Sequence, residues 1–145
     1  MTDTTKKLPR PDRPLSPHLQ VYNLPMTARM SITHRFTGIV LSAGLVLITA
    51  VLVTAASAPD YFNLLMSWAA TDYGTGFLFL WSLALFYHLC NGVRHMFWDM
   101  VLLFKLRNAR IANWVVIFAA LGLTVSTWYC AQHFGGAETV MINER

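Results

Sequence analysis

A histidine lies in the middle of a long apolar stretch of the sequence. His88, Gly92, His95 and Asp99 follow one another at spacings of four, three and four residues. On an α-helix such spacings place all four residues on one face. A neutral imidazole in an apolar setting can bind haem iron through one ring nitrogen. The pattern therefore predicts a haem ligand, and the alternative is a buried histidine bonded to another helix.

Three further residues of the same stretch could surround a haem. Gly92 leaves space, one turn from His88, for a flat macrocycle or for a neighbouring helix. His95 lies about 10 Å along the helix from His88, given a rise of 1.5 Å per residue. Arg94 precedes His95 in the sequence, and the side chains of Arg94 and His95 could neutralise haem propionates.

A second group of polar residues opens the preceding apolar run. Ser31 and Arg35 are four residues apart and share a helix face, with His34 beside them. A hydroxyl and a cation next to an apolar groove are the groups that a quinone needs around its carbonyl oxygens. We therefore expect Ser31 and Arg35 in a quinone site. The alternative is that Arg35 extends to lipid phosphates, which is the interpretation we prefer for Arg29.

Three apolar runs must position these residues. Each holds more than 20 residues without Asp, Glu, Lys or Arg, and such a run can cross a hydrocarbon core about 30 Å thick as a helix. The sequence thus predicts an all-α integral membrane protein with three transmembrane helices and half of a haem-binding bundle. The predicted parts are a polar, proline-rich arm at residues 1–29, helices at about 30–57, 73–106 and 109–133 within a membrane domain at 30–134, and a tail at 135–145.

The distribution of charge gives the expected orientation. Ten of the 11 Lys and Arg residues lie between Lys6 and Arg35 or between Arg94 and Arg110, at the borders of apolar runs. Cations at such borders argue against nucleic-acid binding, and the positive-inside rule places the N terminus inside and the tail outside. No secretory signal is expected, and Cys90 and Cys130 are expected to be free thiols.

The motifs resemble those of a known family. The stretches R-P-L-S-P-H-L at 13–19, S-I-T-H-R-F-T at 31–37 and H-L-C-N-G-V-R-H at 88–95 are similar to the signatures of the cytochrome b membrane anchor of succinate dehydrogenase, respiratory complex II. The order of the motifs and the plan of three spans match over nearly the whole chain.

The resemblance implies a role for each residue that matches the motifs. His88 would be one axial ligand of haem b, and the second would come from the partner membrane anchor of the complex. His34, His95 and Arg94 would surround the haem propionates. Ser31 and Arg35 would help to form the ubiquinone pocket, whereas the role of Asp99 stays open.

The resemblance also implies partners and a location. The chain would assemble with a flavoprotein subunit, an iron–sulfur subunit and the second anchor in a bacterial or mitochondrial inner membrane. Catalytic oxidation of succinate would lie outside this chain, which would be a non-catalytic subunit of the oxidoreductase. The alternatives are the anchor of a related fumarate reductase and a haem-free structural anchor; a small transporter is disfavoured because the polar residues lie in one half of the membrane.

Overall fold

The described part of the chain is a bundle of three long helices and one short helix. The computed structural model describes residues 23–100 and 105–143, and only the backbone of residues 134–143. No strand occurs in these ranges. The helices are α1 (Met26–Ser57), α2 (Pro59–Ala69), α3 (Asp72–Asp99) and α4 (Leu106–Asn143).

Three of the helices are long and apolar enough to cross a membrane. They are α1, α3 and the Leu106–His133 part of α4. The prediction of an all-helical protein with three transmembrane helices is therefore confirmed. Much of their apolar surface is exposed: Phe36, Val46 and Phe118, for example, are each more than 60% exposed. Such side chains suit lipid or a partner helix, because neither environment penalises apolar surface.

The ends of the helices differ from the predicted bounds. Helix α1 begins at Met26 because Pro25 has extended backbone angles (φ −61°, ψ 152°) and its carbonyl accepts the first N–H bonds of the helix. Helix α3 ends at Asp99, where the predicted helix continued to 106, because the N–H of Met100 closes a turn on the carbonyls of Met96 and Trp98. Residues 101–104, and most of the predicted arm, lie outside the described residues.

Helix α4 is longer than the predicted third helix. It begins at Leu106 rather than at 109 and continues to Asn143, through most of the segment predicted as a tail. An apolar run predicts only the part of a helix that crosses hydrocarbon, and backbone hydrogen bonding can extend that helix into water at either end.

The core of the bundle is small and contains several polar residues. Helix α3 packs between α1 and α4, and α1 also contacts α4. The residues less than 9% exposed include Met30, Val116 and Ala120, together with the polar residues Thr37, Asn91, Arg94, Asn113 and Thr124.

Close packing of α1 against α3 depends on a glycine. A Cβ atom at Gly44 would overlap the indole ring of Trp81, so no larger residue fits without movement. Gly44 is therefore a helix-packing residue. The contacts of Tyr87 with Met30 and of His88 with Thr37 show the antiparallel register of α1 and α3.

Candidate functional site

The His88 side chain is held in one orientation by helix α1. Its Nδ1 atom lies 3.1 Å from the carbonyl oxygen of His34 and 3.1 Å from Oγ1 of Thr37. The Thr37 hydroxyl donates a hydrogen bond to the same His34 carbonyl at 2.9 Å. The His34 carbonyl lies inside α1, where the backbone N–H of Gly38 is its helical donor, and its oxygen also accepts from Thr37 and lies next to Nδ1 of His88.

The contact with the His34 carbonyl favours one tautomer of His88, whereas the Thr37 hydroxyl can donate to or accept from Nδ1. A carbonyl oxygen can only accept, so the 3.1 Å contact is favourable only when the hydrogen is on Nδ1. We infer that Nδ1–H donates to the His34 carbonyl and that Nε2 keeps its lone pair. Among the described residues, Nε2 has no hydrogen-bond partner. A histidine that donates one N–H to a backbone carbonyl and offers the other nitrogen has the arrangement typical of a metal ligand.

His88 also lines a groove. We call it the His88 groove; its volume is about 730 Å³ and it is lined by Arg35, Gly38, Ile39, Leu41, Ser42, Leu45 and His88. Gly38 allows the imidazole to lie against α1, since a Cβ atom there would come within 3.1 Å of Cε1 of His88. The groove is mostly apolar, with a cation at one end and an imidazole in its wall.

Three imidazole rings form a row between α1 and α3. The rings of His34 and His88 are stacked, with centroids 3.9 Å apart, and the ring of His95 lies 5.4 Å from that of His34. The Nδ1 atom of His34 is buried and has no partner among the described residues. The structure therefore brings together the three histidines that the sequence singled out.

Arg94 lies at the same end of the bundle and contacts Asn91 and Trp98 of its own helix. It is 2% exposed, donates from Nη1 to Oδ1 of Asn91 at 2.8 Å, and stacks on the ring of Trp98 with Cζ 4.2 Å from the centroid. Its Nε and Nη2 atoms have no partner among the described residues. A buried cation with two unused donors is costly, so an acceptor from outside this chain would stabilise it.

Ser31 and Arg35 lie one turn apart near the start of α1. Arg35 is exposed and lines the His88 groove, whereas Ser31 is half-buried and is not among the residues that line it. In the described ranges neither side chain has a hydrogen-bond or ion-pair partner.

Gly92 and Asp99 are the other two residues that the sequence places on the same helix face as His88 and His95. A Cβ atom at Gly92 would meet nothing within 4 Å, so the chain leaves open space there. Asp99 is exposed at the last residue of α3. Within residues 23–100 and 105–143 no group of three or more His, Cys, Asp or Glu side chains could hold a metal ion by itself.

Several residues of the site were not assigned a role from the sequence. Thr37 and Gly38 hold and accommodate His88, and Asn91 binds Arg94. Asn91 and Asn113 are amides inside apolar runs, and that signal could have identified them, because unpaired amides are costly in a membrane. Both are at most 1% exposed.

The fold and the site define a class of protein. The chain is a multi-pass membrane subunit in which polar residues collect in one half of the bundle, around a histidine that offers a free ring nitrogen.

Comparison with known proteins gives the family. The sequence model of the family described as succinate dehydrogenase/fumarate reductase transmembrane subunit matches residues 9–127. The succinate dehydrogenase cytochrome b556 subunit of Paracoccus denitrificans is 42% identical over 122 residues, covering 81% of this chain and 91% of that protein. The cytochrome b556 subunit of Rickettsia felis is 35% identical over 116 residues, covering 80% and 90%.

The chain therefore belongs to the succinate dehydrogenase/fumarate reductase transmembrane subunit family, as a cytochrome b membrane anchor. A mitochondrial relative, the cytochrome b560 subunit of Dictyostelium discoideum, is 42% identical over 95 residues, covering 64% of this chain and 48% of that protein. The resemblance in the sequence motifs is thus confirmed, and so is the location in the inner membrane of bacteria or mitochondria.

Proposed function

We propose that this chain supplies one axial ligand of haem b and part of the ubiquinone site in a succinate dehydrogenase complex. The single observation that supports this most strongly is the orientation of His88. Its Nδ1–H is directed to the His34 carbonyl, and its Nε2 atom is left for a ligand beside the His88 groove.

The residues around His88 fit a haem. A macrocycle needs a flat apolar space, an axial nitrogen and donors for two propionates. The open space at Gly92, the Nε2 atom of His88 and the unpartnered atoms of His34 and Arg94 meet these needs. Bound haem would supply a one-electron redox centre close to the quinone site. As the resemblance to the cytochrome b anchors implies, a second histidine to hold the haem iron would come from the partner anchor.

Ser31 and Arg35 are proposed to act on the quinone. The hydroxyl of Ser31 would donate a hydrogen bond to one quinone carbonyl oxygen, and the guanidinium of Arg35 would stabilise the negative charge that develops during reduction. Both side chains are free of partners within the described ranges, and Arg35 borders the apolar groove that could receive a hydrophobic tail.

The charge distribution supports an orientation. The end of the bundle that holds the histidines also carries Arg29, Arg35 and the cations Lys105, Arg107 and Arg110 of the connection between α3 and α4. We propose that this end faces the cytoplasm or the mitochondrial matrix. Electrons from succinate would then reach ubiquinone there, from a flavoprotein subunit through an iron–sulfur subunit.

Purification of the complex in mild detergent tests this proposal as a whole. Mass spectrometry should detect the flavoprotein, the iron–sulfur protein and the second anchor, and a reduced-minus-oxidised spectrum should show a b-type band. A complete complex without that band would support a haem-free anchor instead. Reduction of a menaquinone analogue but not of a ubiquinone analogue would support a fumarate reductase.

Arg35→Ala tests the quinone site separately. We expect quinone reduction with succinate to fall by roughly 100-fold or more, on the order of the loss when one charge-stabilising donor is removed. Electron transfer from succinate to an artificial dye should survive, since it does not use the anchor. Arg29→Ala, a change to another exposed arginine of α1, is the control and should spare both activities. Equal loss of both activities in Arg35→Ala would contradict a role in quinone binding.

A further inference from the structure

Helix α2, which lies between α1 and α3, has a surface with no role in the proposed haem and quinone sites. It lies at the opposite end of the bundle from the histidines, since the antiparallel pairing of α1 and α3 places residues 57 and 72 at that end. Its sequence, P-D-Y-F-N-L-L-M-S-W-A, contains one acidic residue and no Lys or Arg.

The side chains of α2 form three parallel stripes, each with spacings of three and four residues. One stripe, Phe62, Leu65 and Ala69, is half-buried and faces the bundle. The second, which we call the α2 apolar row, contains Tyr61, Leu64 and Trp68, which are 67%, 64% and 51% exposed. The third contains Asp60, Asn63 and Ser67, all polar and exposed. A helix with these three faces suits a boundary where protein, hydrocarbon and water meet.

The connection to α3 fixes the direction of these stripes. The Thr71 hydroxyl accepts a hydrogen bond from the N–H of Gly74 at 3.1 Å and so caps α3. A Cβ atom at Gly74 would overlap the carbonyl oxygen of Trp68 and would lie 2.8 Å from Cα of Ala69. The end of α2 is therefore packed directly on the first turn of α3, and its faces cannot rotate independently of the spanning helices.

The α2 apolar row continues the exposed apolar surface of α3. The ring of Trp68 packs edge-on against Phe77 of α3, with centroids 5.9 Å apart, and Phe77 is itself 41% exposed. The exposed apolar surface of the span thus runs without a break onto α2. Tyrosine and tryptophan are the side chains enriched at the level of lipid headgroups.

We propose that α2 lies in the membrane interface and inserts the α2 apolar row among the lipids of the leaflet opposite the histidine cluster. The polar stripe beside it then faces water. Because α2 carries no cation, its attachment rests on apolar burial and not on attraction to anionic headgroups. The partner is a lipid surface, and its contact with α2 does not depend on haem or quinone binding.

Site-directed nitroxide labelling of the assembled complex tests this contact. Cys90 and Cys130 are first replaced by alanine, and a label is then attached at Leu64→Cys or, as the matched control on the polar stripe, at Asn63→Cys. The complex is placed in nanodiscs of phosphatidylethanolamine and phosphatidylglycerol. Collision rates of the label with oxygen, which concentrates in lipid, and with a water-soluble nickel chelate are measured.

We expect an oxygen-to-nickel accessibility ratio several-fold higher at residue 64 than at residue 63, unchanged by added salt. A label at residue 64 that meets the nickel chelate as readily as the control would place the row in water and overturn the proposal. A label that neither reagent reaches would show that protein covers the row, which also overturns it. Tyr61→Cys provides a second position on the same row if Leu64→Cys reduces assembly.

Discussion

Replacement of Thr37 by valine isolates the contribution of one hydroxyl to the His88 site. Valine has nearly the same shape as threonine, and Thr37 is only 8% exposed, so the change removes hydrogen bonds and creates no cavity. Two contacts are lost: the bond from the Thr37 hydroxyl to the His34 carbonyl at 2.9 Å and the 3.1 Å contact with Nδ1 of His88.

The expected cost is moderate because His88 keeps a partner. The Nδ1–H of His88 still donates to the His34 carbonyl at 3.1 Å, so no buried donor is orphaned. The loss should therefore be about 1 kcal/mol, the net value of one ordinary hydrogen bond, and not the larger penalty of an unsatisfied group. If that loss falls on haem binding, haem affinity should drop about five-fold.

Haem occupancy and the thermal loss of the b-type band, measured on the purified complex, give the effect of Thr37→Val. Thr49→Val is the control, because the Thr49 hydroxyl bonds only to the Leu45 carbonyl of its own helix, at 2.9 Å. We expect the control to match the unchanged protein. Complete loss of haem in Thr37→Val, or equal effects of Thr37→Val and Thr49→Val, would refute the inferred hydrogen-bond network around His88.

Two further substitutions test where a ligand or partner meets the chain. Arg94→Met keeps most of the side-chain volume but removes two buried donor atoms that have no partner in the described residues. Haem content should fall, because each charged hydrogen bond to a propionate contributes about 1.5–3 kcal/mol. Unchanged haem content together with a raised melting temperature would show that Arg94 has no acceptor in the complex. A Cβ atom at residue 92 would meet no described atom within 4 Å, so a loss of haem in Gly92→Leu, measured by a pyridine haemochrome assay, would indicate that another group occupies that space. Gly76→Leu, at an equally open position, is the control, and equal loss in both would indicate general failure of assembly.

The spanning helices could be predicted from the sequence because their signal is strong. A run of more than 20 residues without strong charges has few alternatives to a membrane helix. Helix α2 has only 11 residues and alternates apolar with polar positions, so its sequence is weak evidence for a helix until α1 and α3 pack beside it. Pro59 at its first turn and Asp60 next to it were signals that could have suggested it.

The depth of each polar residue could be predicted more readily than its partners. Helical spacing predicted that His88, Gly92 and His95 share a face, and the structure places His88 and His95 beside His34. The sequence assigned Arg94 to the haem propionates, and its contacts with Asn91 and Trp98 could not be predicted from spacing. The role of Thr37 could not be predicted. A threonine in an apolar helix usually bonds to its own backbone, and contact with His88 follows only from the register of α1 against α3.

The central claim is that His88 is a haem ligand. The most direct measurement is the reduced-minus-oxidised spectrum of the purified complex carrying His88→Ala, with the presence of every subunit checked by mass spectrometry and with Cys90→Ala as a control on the same helix. We predict that the b-type band is lost in His88→Ala and kept in Cys90→Ala while all subunits remain. A b-type band of unchanged position and intensity in His88→Ala would contradict the claim.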